Sequence, residues 1–200
     1  MTTKTILAAA ALLGLSAGSW AATAKVSQGS TITLEGKSTL HPFESVCKEF
    51  SLDLTVPGDS LAKGIEAQAQ GGMTVKIPVA CLKSEHSGLD KNLQKALNAK
   101  ENPDIVFLMK GYKLEKDSGA SSVVAWGDLT VAGKSQAETL KGSLSAKDGR
   151  TVIDGEQPLL MTDFGVKPPT MMMGAVKTEN RVVVKFHLEL EPAADAAQRK

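Results

Sequence analysis

The residue types that most often carry chemistry are sparse in this chain. There are three histidines, His41, His86 and His187, and none stands at a metal-ligand spacing from another ligand type. Ser38-Thr-Leu-His41 with Glu44 holds the residue types of a hydrolase, but they are neighbours in sequence rather than residues a fold brings together. No Gly-x-Ser-x-Gly elbow accompanies them. Gly127-Asp-Leu-Thr-Val-Ala-Gly133 has no Lys-Ser/Thr at a phosphate-loop offset, and Asp128 beside Thr130 reads as an outward or rim position. Met171-Met172-Met173 could offer thioethers to Cu(I). Consecutive residues of a strand cannot converge on one ion, so these methionines read first as a pliable apolar rim. The expectation is a protein that is not an enzyme, with no metal and no cofactor.

Two cysteines, Cys47 and Cys81, leave a disulfide open. An oxidising compartment would permit it. Strand phase counts against it. Cys47 is out of phase with Phe50, Leu52 and Leu54, while Cys81 is in phase with Val75, Ile77 and Val79. The two face opposite sides unless Cys47 sits in a loop or Pro78 marks a bulge.

The elements that must position any site are strands. In Arg181–Glu191, Val182, Val184, Phe186, Leu188 and Leu190 share one parity, and Lys185, His187, Glu189 and Glu191 the other. Alternate side chains of a strand point to opposite faces, so this is a strand with one dry face. The pattern predicts strands at Thr31–Thr39, Glu49–Val56, Gly72–Leu82, Asp104–Glu115, Ser122–Val131, Ala137–Ala146, Thr151–Met161 and Arg181–Glu191. Such a series makes an all-β barrel or sandwich, and eight strands suit a small barrel. One helix interrupts it. Ser87 reads as its N-cap with Asp90 at N3, Leu89, Leu93, Ala96 and Leu97 form its single stripe, which is expected to pack against a barrel opening, and Asn102-Pro103 stops it.

Residues 1–24 read as a secretory signal peptide. Lys4 begins it, Ile6–Leu15 is its apolar run, and Ser19-Trp20-Ala21 and Ala22-Thr23-Ala24 both fit a cleavage site. Residues 25–192 are then one barrel domain and 193–200 a polar, Ala-rich tail. Removing Lys4 with the leader leaves 22 basic against 22 acidic residues. That neutrality argues against a nucleic-acid partner. Aromatic residues are 4% of the chain, too few for stacking platforms. A periplasmic location is expected, with transient membrane contact open.

Several segments together resemble the YceI-like family of exported, lipocalin-like barrels associated with polyisoprenoid lipids. They are Gly36-Lys-Ser-Thr-Leu-His-Pro-Phe43, Val75-Lys-Ile-Pro-Val-Ala-Cys-Leu-Lys-Ser84 leading into Leu89–Leu97, Asn102-Pro-Asp-Ile-Val-Phe107, Gly127-Asp-Leu-Thr-Val-Ala-Gly-Lys134, Thr162-Asp-Phe-Gly-Val166 and the closing strand. The resemblance implies an eight-stranded antiparallel barrel with one short helix. It also implies a tunnel for a prenyl quinone or polyprenyl phosphate, and it carries over no catalytic set. Candidate ligand-binding residues are Phe50, Leu52, Leu54, Val75, Ile77, Phe107, Met109, Leu129, Met171, Met172, Val184, Phe186 and Leu188. The alternative to a tunnel is a filled core. The alternative function is a non-enzymatic interaction or stress-response module that uses the Pro-Pro-Thr-Met-Met-Met loop.

Overall fold

The computed structural model describes residues 21–57, 65, 72–117 and 120–192. Its strands are β1 (Ala21–Val26), β2 (Thr31–Ser38), β3 (Pro42–Cys47), β4 (Ser51–Pro57), β5 (Gly72–Pro78), β6 (Asp104–Asp117), β7 (Ala120–Val131), β8 (Lys134–Lys147), β9 (Arg150–Leu160), β10 (Thr170–Met171) and β11 (Val176–Pro192). Between β5 and β6 stands an α-helix, α1 (Ser87–Ala96). Antiparallel pairing runs β1–β4–β5–β6–β7–β8–β9–β11, and β11 pairs back onto β1. The ring therefore closes as an eight-stranded barrel.

The other strands lengthen its wall. One edge of β11 follows β9, while its other edge pairs first with β2 and then with β1. β1 and β2 are thus two halves of one wall strand, broken between Val26 and Thr31. Serines stitch the break to β11: Ser27 N–H donates to the Glu189 carbonyl at 2.9 Å, and Glu189 N–H donates to Ser30 Oγ at 2.8 Å. β3 and β4 form a second broken strand, and Val46 of β3 bridges to Lys83 beyond β5.

The sequence pattern anticipates the ring but not these breaks. β3 was not expected as a strand, and the first wall strand begins at Ala21, ahead of the expected domain start. β5 ends at Pro78, where a 3-10 turn, Val79–Cys81, replaces the expected extension to Leu82.

Two ends can be told apart. The upper end carries the β2–β3 turn, the segment containing α1, the β7–β8 turn and the β9–β11 connection. The lower end carries the β8–β9 turn, where Asp148 (φ 51°) and Gly149 (φ 77°) supply the positive φ pair of a two-residue hairpin. The parity read from the closing strand holds: Val182, Leu188 and Leu190 are buried within the barrel, and Lys185, on the other parity, is exposed.

The helix starts where expected but is capped differently. His86 is the N-cap residue and makes no side-chain cap bond. Asp90 instead accepts from both Ser84 N–H (2.8 Å) and Ser84 Oγ–H (2.7 Å), which ties the first helical turn to the strand-side chain before it. Those bonds hold the Asp90 carboxyl below its ordinary pKa, because they favour the charged form.

Candidate binding cavity

Cys47 and Cys81 are joined by a disulfide, with Cα atoms 4.9 Å apart. The phase argument against it fails for a local reason. Cys47 ends β3 before the break, and Cys81 lies in the 3-10 turn after Pro78, so neither keeps the phase of β4 or β5. The bridge pins the segment that leads into α1 onto the wall.

Inside the barrel is a cavity of about 260 Å³. Of the candidate residues, Leu54, Val75, Ile77, Phe107, Met109, Leu129, Val184, Phe186 and Leu188 line it. Leu52 does not; it is packed in the wall's core. Phe50 falls in the break between β3 and β4 and is half-buried. The side chains of Met171 and Met172 lie outside what the structure describes. The interior is thus neither a bare tube nor a filled core, because the buried side chains leave a void between them.

Sequence reasoning did not pick out much of the lining. Leu140, Leu144 and Ile153 close its lower part, and Leu89, Leu93 and Phe164 cover its upper end. Leu89 and Leu93 belong to the apolar stripe of α1, which packs against the barrel opening as its pattern implies, whereas Phe164 comes from a 3-10 turn at Met161–Phe164 that no periodicity announces. Phe186 reaches across the wall because its cross-strand partner is Gly155. A Cβ there would come within 2.3 Å of the Phe186 ring.

Among the described residues the lining carries no charged side chain. Its polar members are Ser45, Asn92, Tyr112, Gln157 and Thr178. Tyr112 donates to the Ile65 carbonyl at 3.5 Å, and burial pushes its hydroxyl pKa up. Gln157 marks a seam. The β8–β9 ladder runs only from Gly142–Gly155 to Lys147–Arg150. Above it the two strands part, and side chains span the gap. Gln157 Nε2 donates to Glu138 at 3.0 Å, and Gln136 Nε2 donates to the Asp163 carbonyl at 2.8 Å. Phe164, 3% exposed, closes the opening from above.

The polar residues weighed for chemistry are placed elsewhere and for other ends. Ser38 Oγ donates to the His41 carbonyl at 2.9 Å and accepts the Leu40 and His41 N–H groups, so it shapes the β2–β3 turn. The His41 ring meets the Pro42 carbonyl rather than Ser38. Asp128 pairs with Lys110 at 2.7 Å on the outer wall. His187, also outside, has Nδ1 2.6 Å from Asp154 and Nε2 3.4 Å from Glu189. The bond to Asp154 raises its pKa above the ordinary value, and His187 in turn holds Glu189 low. Among the described residues, no group of three or more His, Cys, Asp and Glu side chains is placed to hold a metal ion.

Comparison with known proteins bears on the fold. The family model of the YceI-like domain matches residues 23–190. No curated protein matches the chain. Among solved structures, Burkholderia cenocepacia BcnA is similar at 23% identity and a TM-score of 0.65, over 82% of this chain and 98% of that one. A polyisoprenoid binding domain from Saccharophagus degradans, implicated in plant cell wall breakdown, is similar at 10% identity and a TM-score of 0.58, over 88% and 99%. At these identities the likeness is one of fold.

Proposed function

This chain belongs to the YceI-like family, and we propose that it binds the long chain of an isoprenoid lipid, a prenyl quinone or polyprenyl phosphate, inside the barrel as a carrier or buffer. The observation that carries the reading is the cavity itself: a void in an otherwise packed barrel, walled by aliphatic and aromatic side chains and, among the described residues, free of charge. A prenyl chain moved from water into such a space gains about 0.8 kcal/mol per buried CH₂. The fold-level likeness to a polyisoprenoid binding domain supports the same ligand class. Among the described residues of the lining none is a nucleophile with an adjacent base, which supports a role in binding.

The protein is exported, on this reading, and works in the periplasm, where a water-insoluble lipid needs a soluble carrier to leave its bilayer. The leader at residues 1–24 supports that placement. The test is native mass spectrometry of the protein from its own host, repeated on Leu188→Trp. Leu188 lines the cavity. If the void holds lipid, the indole fills it, and bound lipid falls at least tenfold with the thermal midpoint little changed. A parent that never carries lipid, with a variant that loses about 1–3 kcal/mol from overpacking, would show the void to be a packing defect.

A further inference from the structure

We infer that Ser45 is the polar anchor of the cavity, hydrogen-bonding an uncharged carbonyl or hydroxyl group of the ligand held inside the barrel. This rests on the lipid-binding reading and narrows it. Ser45 lies on β3 with Phe43 on the same inward parity, opposite Leu34 of β2, and all three line the cavity. It is 1% exposed, and its Oγ is, among the described residues, a buried side-chain polar atom with no hydrogen-bond partner. The other buried serines show that this is not the habit of the fold. Ser30 Oγ accepts from Glu189 N–H at 2.8 Å, and Ser27 Oγ donates to the Glu189 carboxylate at 3.4 Å. Two other polar groups of the lining, Tyr112 and Gln157, also have partners within the protein.

A buried hydroxyl left unpaired is unfavourable, whereas alanine at the same place would cost nothing of the kind. A ligand group that accepts from or donates to Oγ removes the penalty when it binds. The chemical class of that group follows from its surroundings. Among the described residues no Lys, Arg or His lines the cavity, so a phosphate or carboxylate beside Ser45 would be a buried charge without a counter-ion from them. A quinone carbonyl, a phenol or a prenyl alcohol meets the hydroxyl without that cost. A polyprenyl phosphate could enter only tail-first with its head outside, leaving Ser45 unpaired.

The experiment compares a prenyl quinone with an oxygen-free isoprenoid hydrocarbon of equal chain length. Both are delivered from cyclodextrin to the full chain and to Ser45→Ala, and affinities are measured by titration calorimetry. One neutral hydrogen bond corresponds to roughly a two- to tenfold preference. The parent should favour the quinone by that factor. Ser45→Ala should lose the preference while hydrocarbon affinity stays the same, and Ser45→Thr, which keeps the hydroxyl, should retain it. If Ser45→Ala keeps the preference, or weakens both ligands equally, the anchor is refuted while the lipid-binding reading stands. If the parent binds neither ligand, the lipid-binding reading fails and the anchor with it.

Discussion

His187 sits on the outer wall between two carboxylates, Asp154 of β9 and Glu189 of its own strand. Arg150 of β9 also reaches this group, 3.1 Å from Glu189 and 3.6 Å from Glu191. Because the folded pKa of His187 lies above its unfolded value of about 6.5, the protonated ring stabilises the fold. That contribution is complete below the unfolded pKa and is lost as pH rises through the folded one. The neutral variant His187→Gln should therefore melt below the parent at about pH 6, and the two midpoints should converge in mildly alkaline buffer. A gap that stays constant across that range would show that the imidazolium adds nothing. Single residues also mark where sequence reading stops. Alternation identifies the dry face of β11 because its alternate positions are all large and apolar. β3 escapes the same test because a serine, Ser45, stands on the inward face of a strand only six residues long. The polarity is inverted at the very position where a polar group inside the barrel has a use.

At the scale of elements, the wall and the helix that covers its opening were legible, and the breaks and the 3-10 covering at Met161–Phe164 were not. A ladder leaves a period of two in the sequence, but a break leaves only short polar runs that resemble loops. β1 is the plainest case, since Ala21-Ala-Thr-Ala24 looks like the end of a leader and yet pairs with Leu54–Pro57 of β4. This separates the two cleavage sites. Processing after Ala24 would remove the residues that make that ladder, whereas processing after Ala21 keeps all but the first. N-terminal sequencing of the exported form should begin at Ala22; a start at Lys25 would mean that the barrel forms without this pairing. The disulfide acts at the same scale, because it fastens the turn before α1 to β3. The two cysteines are 34 residues apart, and closing a loop of that size is worth about 3–4 kcal/mol by chain entropy. Replacing both Cys47 and Cys81 with Ala should cost about that much in denaturant titration and should speed release of bound lipid from under α1. Unchanged unfolding free energy, together with two alkylatable thiols in the unreduced parent, would mean that no bridge forms.

For the molecule as a whole, the proposed ligand has to come from a bilayer, and the surface suited to meet one is the upper rim. Leu40 at the tip of the β2–β3 turn is 67% exposed, and Met173 beside β10 is fully exposed. Met173 also holds a left-handed backbone (φ 51°), a conformation uncommon outside glycine. The two tips form one rim. Thr39 N–H donates to the Lys177 carbonyl at 2.9 Å, and Lys177 N–H donates back to Thr39 Oγ1 at 3.2 Å. The rim continues into the cavity through Phe43, Val176 and Thr178, which line it. Lys37 and Lys177 flank the tips and are exposed, with stems long enough to keep their charges at headgroup level. Exposed apolar groups also occur on the side wall, at Leu108 and Trp126, but those lie away from the ends. If the rim docks, each tip side chain contributes roughly 1 kcal/mol or more on leaving water, so the double variant Leu40→Ser with Met173→Ser should bind vesicles at least tenfold more weakly. Quinone uptake from cyclodextrin, which needs no membrane, should be unchanged in the same variant. Equal vesicle binding by parent and variant would move the membrane contact elsewhere. Equal loss of uptake from cyclodextrin would mean that the tips shape the cavity mouth rather than touch the bilayer.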